Sequence, residues 1–459
     1  MSEVPNILLI TTHDLGTHLG CYGWDPALPT EDLDRLASEG VRFGNHFCTA
    51  CFCSPSRGSI ITGKYPHVNG LMGLVNMGWD IPGGNVFLPE LLGRAGYDTS
   101  LFGLQHVAED PTRLGYERVI GERGNRGCKT VVPLVVDYLT SRGKRADRPF
   151  FVEAGFMEVH RPYGGLEQVP VKEDEIRPLP WLEDTAGLRK DMAMFYENIR
   201  RTDRAVGELL AALDSLGLAE NTLVIFTTDH GIAFPRAKAT LYDPGIRTTL
   251  LMRWPAGFSG GRVASAMLSN VDLFPTLAEI VGQDPADDCN GESFLGVLRG
   301  ARDEARSMVF AEKNTSWRDT KRCVRTAGHK YIRNYDEGPL LALPSDIGVS
   351  STRKAMGDTH EAPRAEIELY DLSEDPWEQN NLAGDPAHRT VEADMAARLQ
   401  RVLEETHDPI LDGAVPRPKR EAEISRGLWH AGSMGKREQR EARLLAEYNR
   451  LKNEALPKP

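Results

Sequence analysis

Two apolar runs constrain this chain more than any other feature. Pro5 to Thr12 and Thr222 to Thr228 (Thr-Leu-Val-Ile-Phe-Thr-Thr) are apolar along their length and end in small polar residues. A strand with one wet face alternates, whereas a strand apolar on both sides is covered on both sides. Such strands sit inside a mostly parallel sheet with helices on its two faces. The pattern around them agrees. Helical periodicity is predicted over 31–39, 87–95, 130–141, 188–216 and 271–281, and strand character over 41–47, 98–103, 149–156 and 248–254. The expected fold class is therefore α/β. In such sheets ligands gather beyond the strand C-terminal ends. The polar residues of interest fall there: His13 and Asp14, His106, His160, and Asp229 with His230.

After residue 306 the pattern changes. Short strands at 308–311, 323–326, 330–333 and 368–371, then a helix over 391–405, predict a smaller α+β domain with an antiparallel sheet. The reading divides the chain into a larger domain at 1–306, a smaller one at 307–410, and a charged, helical tail at 411–459 that could wrap the domain or join a homo-oligomer. A net charge of -12 over 459 residues argues against nucleic-acid and anionic-membrane binding, and means that an anionic ligand needs a local positive pocket. No apolar run is long enough to span a membrane, and the first residues lack a basic, apolar leader. Cys21, Cys48, Cys51, Cys53, Cys128, Cys289 and Cys323 are odd in number and scattered, unlike a disulfide framework. Cytoplasmic residence is the simplest expectation. Cys48 and Cys51 form a C-x-x-C pair, but no second pair follows at zinc-site spacing.

The stretch Cys53-Ser54-Pro55-Ser56-Arg57 is the densest chemical signal. Pro55 suits a first helical turn, Ser54 is the expected N-cap, and Gly63 should end the helix. Cys53 then lies at a helix N-terminus, which favours an anion, with Arg57 one turn on. Taken alone, the unit is equally a half-buried cysteine at a helix start.

The longer string, Cys53 through Gly63, resembles the signature C-x-P-S-R-x-x-x-x-T-G of the type I sulfatases. The resemblance implies an alkaline-phosphatase-like fold and a Cys53 oxidised to formylglycine by a formylglycine-generating enzyme. The chemistry shows why the cysteine has to change. The hydrated aldehyde has two hydroxyls. One, activated on a metal ion, attacks sulfur to form a covalent intermediate, and the second collapses that intermediate to release sulfate. A thiol or plain alcohol has no second hydroxyl.

The rest of the site follows from the same resemblance. Thr12-His13-Asp14-Leu15-Gly16 stands where the family has paired aspartates, so Asp14 matches and His13 replaces the first acid. Thr228-Asp229-His230-Gly231 fits the second half of the metal site. The implied ligands are His13, Asp14, the modified Cys53, Asp229 and His230. Hard oxygen donors favour calcium or magnesium, while two imidazoles move the preference towards manganese, zinc or iron. Gly103-Leu104-Gln105-His106 keeps the histidine of the G-K-x-H element but has Leu104 in place of its lysine. His160 resembles the histidine near the leaving-group oxygen, where a general acid belongs. Lys238, in Lys238-Ala239-Thr240-Leu241-Tyr242, resembles the lysine that touches a sulfate oxygen. Arg247 reads equally as a structural salt-bridge former or as a site residue, and His67 as structural or supporting. The resemblance runs from about residue 5 to 405 and, through Ile232-Ala233-Phe234-Pro235 and Glu405 to Pro409, points to the N-sulfoglucosamine sulfohydrolase branch.

The expected activity is hydrolysis of a small anionic substrate, a sulfate ester or sulfamate, on a sugar or an aryl or alkyl group. Leu104 and His230 are also compatible with a phosphodiester or phosphonate monoester hydrolase, and Leu104 with a degenerate protein that binds sulfated glycan without cleaving it. Specificity is expected from the loops at 164–190 and 335–363.

Overall fold

The computed structural model describes residues 4–122, 126–142, 147–163, 171–314 and 319–421. Its larger sheet contains β1 (Asn6–Thr12), β2 (Val41–Phe47), β3 (Asp98–Gly103), β4 (Arg118–Ile120), β5 (Phe150–Gly155), β6 (Thr222–Thr228), β7 (Leu250–Arg253) and β8 (Arg262–Ser269). The spatial order is β4-β3-β5-β1-β6-β7-β2-β8. β1 lies between β5 and β6, parallel to both, and β7 runs antiparallel to its neighbours β6 and β2.

Alternate residues of the central strands feed two separate cores, as the period of a strand requires. Leu8, Ile10, Val152, Val224 and Phe226 pack with Val131 and Val135 of helix Cys128–Arg142 and Val206 and Leu210 of helix Ala186–Ser215. Ile7, Leu9, Phe151, Leu223 and Ile225 face the other way, onto helices Leu88–Arg94 and Leu273–Ile280. Helices on both faces are thus the direct consequence of strands apolar on both sides.

β4 and β8 lie outside the strands expected from the sequence. Both are at sheet edges. β8 reads Arg-Val-Ala-Ser-Ala-Met-Leu-Ser, with little β-branched character and an exposed Val263, so no pattern marks it. The expected N-cap at Ser54 is corrected. The helix runs Cys53–Thr62, Phe52 is its N-cap, and Ser54 Oγ instead accepts a hydrogen bond from Val75 N at 3.2 Å. Gly63 ends the helix in the left-handed region, with φ of 70°.

The smaller sheet is antiparallel, in the order β12-β11-β10-β9, from β9 (Met308–Lys313), β10 (Lys321–Thr326), β11 (His329–Asn334) and β12 (Ile367–Asp371). Helix Arg389–Glu405 covers it through Met395, Leu399 and Leu403, packed on Phe310, Val324, Tyr331 and Leu369. Between β11 and β12 the chain returns to the larger domain, where Thr352 donates to Asp191 of helix Ala186–Ser215. The helical expectation for the tail falls, from residue 422 on, outside the described residues.

Candidate active site

The carboxyl ends of β1, β3, β5 and β6 and the start of helix Cys53–Thr62 converge on one buried point. Asp14 and His106 follow their strands with φ of 51° and 59°, a left-handed backbone that a residue with a side chain adopts only under constraint. Gly155 explains the second case. Leu104 N donates to Gly155 O at 2.9 Å, and a Cβ on Gly155 would meet Leu104 O at 1.8 Å. The close crossing turns the next residues, and His106 with them, over the end of β5. Leu104 itself is buried.

Asp229 is the hub. Its Oδ1 accepts from Asp14 N at 3.0 Å and His230 N at 2.9 Å. Its Oδ2 accepts from Arg57 Nε at 3.1 Å and lies 2.8 Å from His13 Nδ1. Burial opposes its charge, but His230, His13 and Arg57 outweigh it and hold the carboxyl well below the usual range. Arg57 is wholly occupied: its remaining nitrogens donate to Thr11 Oγ1 at 3.2 Å and Thr12 O at 2.6 Å. It fixes Asp229 and the end of β1.

Acceptors meet at this point around the Cys53 thiol. His230 Nδ1 is 2.9 Å from Gly231 O, and in the neutral ring a proton there leaves Nε2 as a lone pair for a metal ion. That Nε2 lies 3.2 Å from Asp14 Oδ1 and 3.3 Å from Cys53 Sγ. Asp14 Oδ1 and His13 Nε2 have no hydrogen-bond partner among the described residues. His13, Asp14, Cys53 and Asp229 each offer a donor atom within 4.8 Å of the others. Burial, then Arg57, depresses His13 well below an ordinary imidazole, which keeps it neutral and able to bind a cation. Carboxylate oxygens, neutral imidazoles and a residue-53 group fit a divalent metal ion.

Lys238 stands on the other side of Asp14. Its Nζ donates to Asp14 Oδ2 and Asp346 Oδ2, both at 2.8 Å, and lies 3.3 Å from His160 Nε2. Burial works against its charge, and the two carboxylates more than restore it. His160 is lowered by burial and by Lys238, and His106 is pushed down to about 3 by burial and by Arg57. The His160 ring packs edge-on to His13 with centroids 5.3 Å apart, and His106 lies 6.0 Å from His13. All the residues expected at the site are therefore adjacent: His13, Asp14, Cys53, Arg57, His106, His160, Asp229, His230 and Lys238. The cysteine environment is informative in itself. Burial, then Asp229, pushes the Cys53 thiol well above its ordinary value, so an unmodified Cys53 is a neutral thiol and a poor nucleophile.

Asp346 was not legible in the sequence. Arg126, which pairs with Glu122 at 3.5 Å, is also new: it lies near enough to Arg57 for the like charges to weaken its hold on a proton, after burial. Arg247 donates to Gly44 O at 3.1 Å and is structural.

Comparison with known proteins agrees with this geometry. The family model described as "Sulfatase" matches residues 5–283, and that described as "N-sulphoglucosamine sulphohydrolase, C-terminal" matches residues 231–346. The human N-sulphoglucosamine sulphohydrolase is 30% identical over 88% of this chain and 91% of its own length. An ulvan-active sulfatase of Formosa agariphila is 28% identical over 94% of this chain and 79% of its own. The crystal structure of a phosphonate monoester hydrolase of Agrobacterium radiobacter superposes with a TM-score of 0.71 at 20% identity, covering 90% of this chain and 100% of the other, a likeness of fold.

Proposed function

Because this chain belongs to the sulfatase family, we propose that it hydrolyses the sulfate ester or sulfamate of a sugar through a formylglycine made from Cys53. The observation that carries the reading is the state of Cys53. It opens the signature helix inside the acceptor cluster, where its thiol is held neutral. Residue 53 is well placed but chemically unfit as cysteine. A hydrated aldehyde there supplies one hydroxyl to attack sulfur and a second whose deprotonation expels sulfate.

His13, Asp14, Asp229 and His230 would hold one divalent ion, calcium by the carboxylates, with manganese, magnesium or zinc the alternatives. The ion would supply Lewis-acid polarisation of the sulfate and acidify the hydroxyl of residue 53. The chain's own residues do the rest. Arg57 keeps Asp229 ionised and aimed. Lys238 presents a buried positive charge to a sulfate oxygen and holds a proton on Nζ, hydrogen-bonded to His160 Nε2. His160 is neutral before substrate binds; the arriving anion raises its proton affinity, so that the ring takes up a proton from solvent as substrate binds and then gives it to the leaving oxygen or nitrogen. His106 lines the same pocket. Preorganised charge around the transferring group supplies most of the rate. The seven cysteines are unpaired, which supports residence in a reducing compartment such as the cytoplasm.

The test has two parts. Mass analysis of the tryptic peptide from Phe43 to Arg57, from protein made with its maturation enzyme, should give the mass of an aldehyde at Cys53. An unmodified thiol, in a host that converts a control sulfatase, sinks the proposal. A panel of aryl sulfate, N-sulfoglucosamine, aryl phosphodiester and aryl phosphonate then separates sulfur from phosphorus. Turnover of phosphorus esters alone would show that buried Leu104 marks the other chemistry.

A further inference from the structure

Asp346 poses an electrostatic problem. It is a buried carboxylate whose Oδ2 is 2.8 Å from Lys238 Nζ, the cation read above as a sulfate contact. Asp14, His160 and Asp346 have donor atoms within 4.8 Å of one another. A carboxylate this close to an anion site weakens anion binding by like-charge repulsion. Asp14 pairs with the same nitrogen at 2.8 Å, so Asp346 is the second carboxylate on Lys238. Burial opposes the charge, yet Lys238 and then His160 hold Asp346 down to about 2, so it is an anion at every working pH. Its Oδ1 accepts from the neighbouring Ile347 N at 3.1 Å, which leaves lone pairs on both oxygens.

A second observation points the same way. Tyr163 lies three residues beyond His160 and is buried, yet its hydroxyl has no hydrogen-bond partner among the described residues. Arg161 stacks over its ring at 4.4 Å. Burial pushes the phenol up, and Asp14, Asp191 and Asp346 are all near enough to push further. A buried, unpaired hydroxyl in a native fold needs a partner from elsewhere.

We propose that Asp346 is a specificity-determining residue: beside His160, on the leaving-group side, it accepts a hydrogen bond from a hydroxyl or amine of the substrate next to the scissile bond, with the Tyr163 hydroxyl as the second contact. The inference rests on the roles read above for Lys238 and His160, and it narrows them. The site selects a polyhydroxylated, sugar-like leaving group over a bare aryl one, and disfavours a second anionic group at that position. The repulsion is offset only by a substrate that brings a donor.

The experiment compares matured wild type, Asp346→Asn and Tyr163→Phe on N-sulfoglucosamine and para-nitrophenyl sulfate, the latter having no donor beside the scissile bond. The readout is the ratio of the two kcat/KM values, which a general loss of Lys238 placement leaves alone. Asp346→Asn should lower the sugar-to-aryl ratio by about tenfold, the size expected when a charged hydrogen-bond acceptor becomes a neutral amide, and Tyr163→Phe by roughly threefold. Glucosamine, as competing product, should inhibit Asp346→Asn about tenfold more weakly than wild type. Equal losses on both substrates would overturn the proposal and make Asp346 a counter-ion of Lys238. If Asp346→Asn does not fold, an unchanged ratio in Tyr163→Phe overturns it alone. Wild type that cleaves the aryl sulfate and not the sugar also overturns it, while the sulfatase reading stands. Wild type that cleaves neither sulfate takes both readings down.

Discussion

The molecule contains two buried clusters that look alike on paper. One is the point where His13, Asp14, Cys53 and Asp229 meet. The other, at the seam between the sheets, joins His67, Glu312 and Asp408. Each has a histidine and two carboxylates in reach of one another. At the seam, Arg322 fills the centre. It grips Asp408 with Nε at 2.5 Å and Nη2 at 2.8 Å, and its Nη1 donates to Asn314 at 2.9 Å. His67 spends both ring nitrogens, at 2.7 Å from Glu312 and 2.9 Å from Thr406. At the strand ends Arg57 and Lys238 each hold one oxygen of Asp229 and Asp14, while Asp14 Oδ1 and His13 Nε2 have no hydrogen-bond partner among the described residues. The difference teaches that composition does not separate a site from a staple. The direction of the lone pairs does.

The largest expected effect breaks the first cluster. Cys53→Ala should lower kcat/KM for sulfate hydrolysis on the order of 10^4-fold or more, as when a nucleophile is removed and only binding remains. Its melting temperature should stay near that of wild type. A residual rate within tenfold of wild type would mean that residue 53 is not the nucleophile.

The comparison is sharpened by counting metal. Purified, matured protein should hold one divalent ion per chain by elemental analysis. Chelation should abolish turnover and lower the melting temperature, because an ion bound only to the folded state stabilises it by mass action. Asp229→Ala should lose the ion, and Glu312→Gln should keep it. Metal lost from Glu312→Gln would place the ion at the seam.

Removing Arg322 tests the seam. Arg322→Met leaves Glu312 and Asp408 buried with His67 as their remaining ionisable contact. Breaking one side of a buried ionic network costs about 3–5 kcal/mol, read as a fall in the midpoint of chemical unfolding. The protein that remains folded should bind its metal as before. A change below about 1 kcal/mol would put the seam among pairs that contribute little.

Much of this was legible in the chain. Strands β1 and β6 could be read because burial on both faces leaves an unbroken apolar run, and their polar ends gave His13, Asp14, Asp229 and His230. The signature gave Cys53 and Arg57. Other facts were beyond reach because they depend on contacts distant in sequence. Asp346 is 108 residues from Lys238, on a connection between strands of the other sheet. Nothing local marks it, as a short Ser-Asp turn is common anywhere. Arg57 reads as an anion contact from its position on the helix. Its commitment to Asp229, Thr11 and Thr12 appears only when β1 and β6 are set side by side. Ser54 reads as a helix cap until a distant loop claims its hydroxyl.

The smallest effect concerns histidines outside both clusters. His18 stacks on Trp24 with ring centroids 4.1 Å apart and has no hydrogen-bond partner on either nitrogen. His46 meets Thr248 Oγ1 through Nδ1 at 2.8 Å, and its Nε2 has none. Burial pushes both down to about 3 from 6.5. The unfolded chain therefore binds two protons that the folded one refuses. Between pH 6.5 and 3 stability should rise with pH, and acidification below 6.5 should remove it at about 1.4 kcal/mol per pH unit for each histidine. His18→Gln should shed one of these slopes without touching the metal count, and unfolding midpoints measured from pH 7 to 5 would show it. The contrast with His13 is what makes this useful. All three imidazoles are depressed by burial, but His13 faces lone pairs, so an added cation should stabilise it as a neutral ligand, while His18 and His46 should ignore the metal. An acid slope of the His18→Gln protein equal to that of wild type would show that burial alone does not set the charge of these rings.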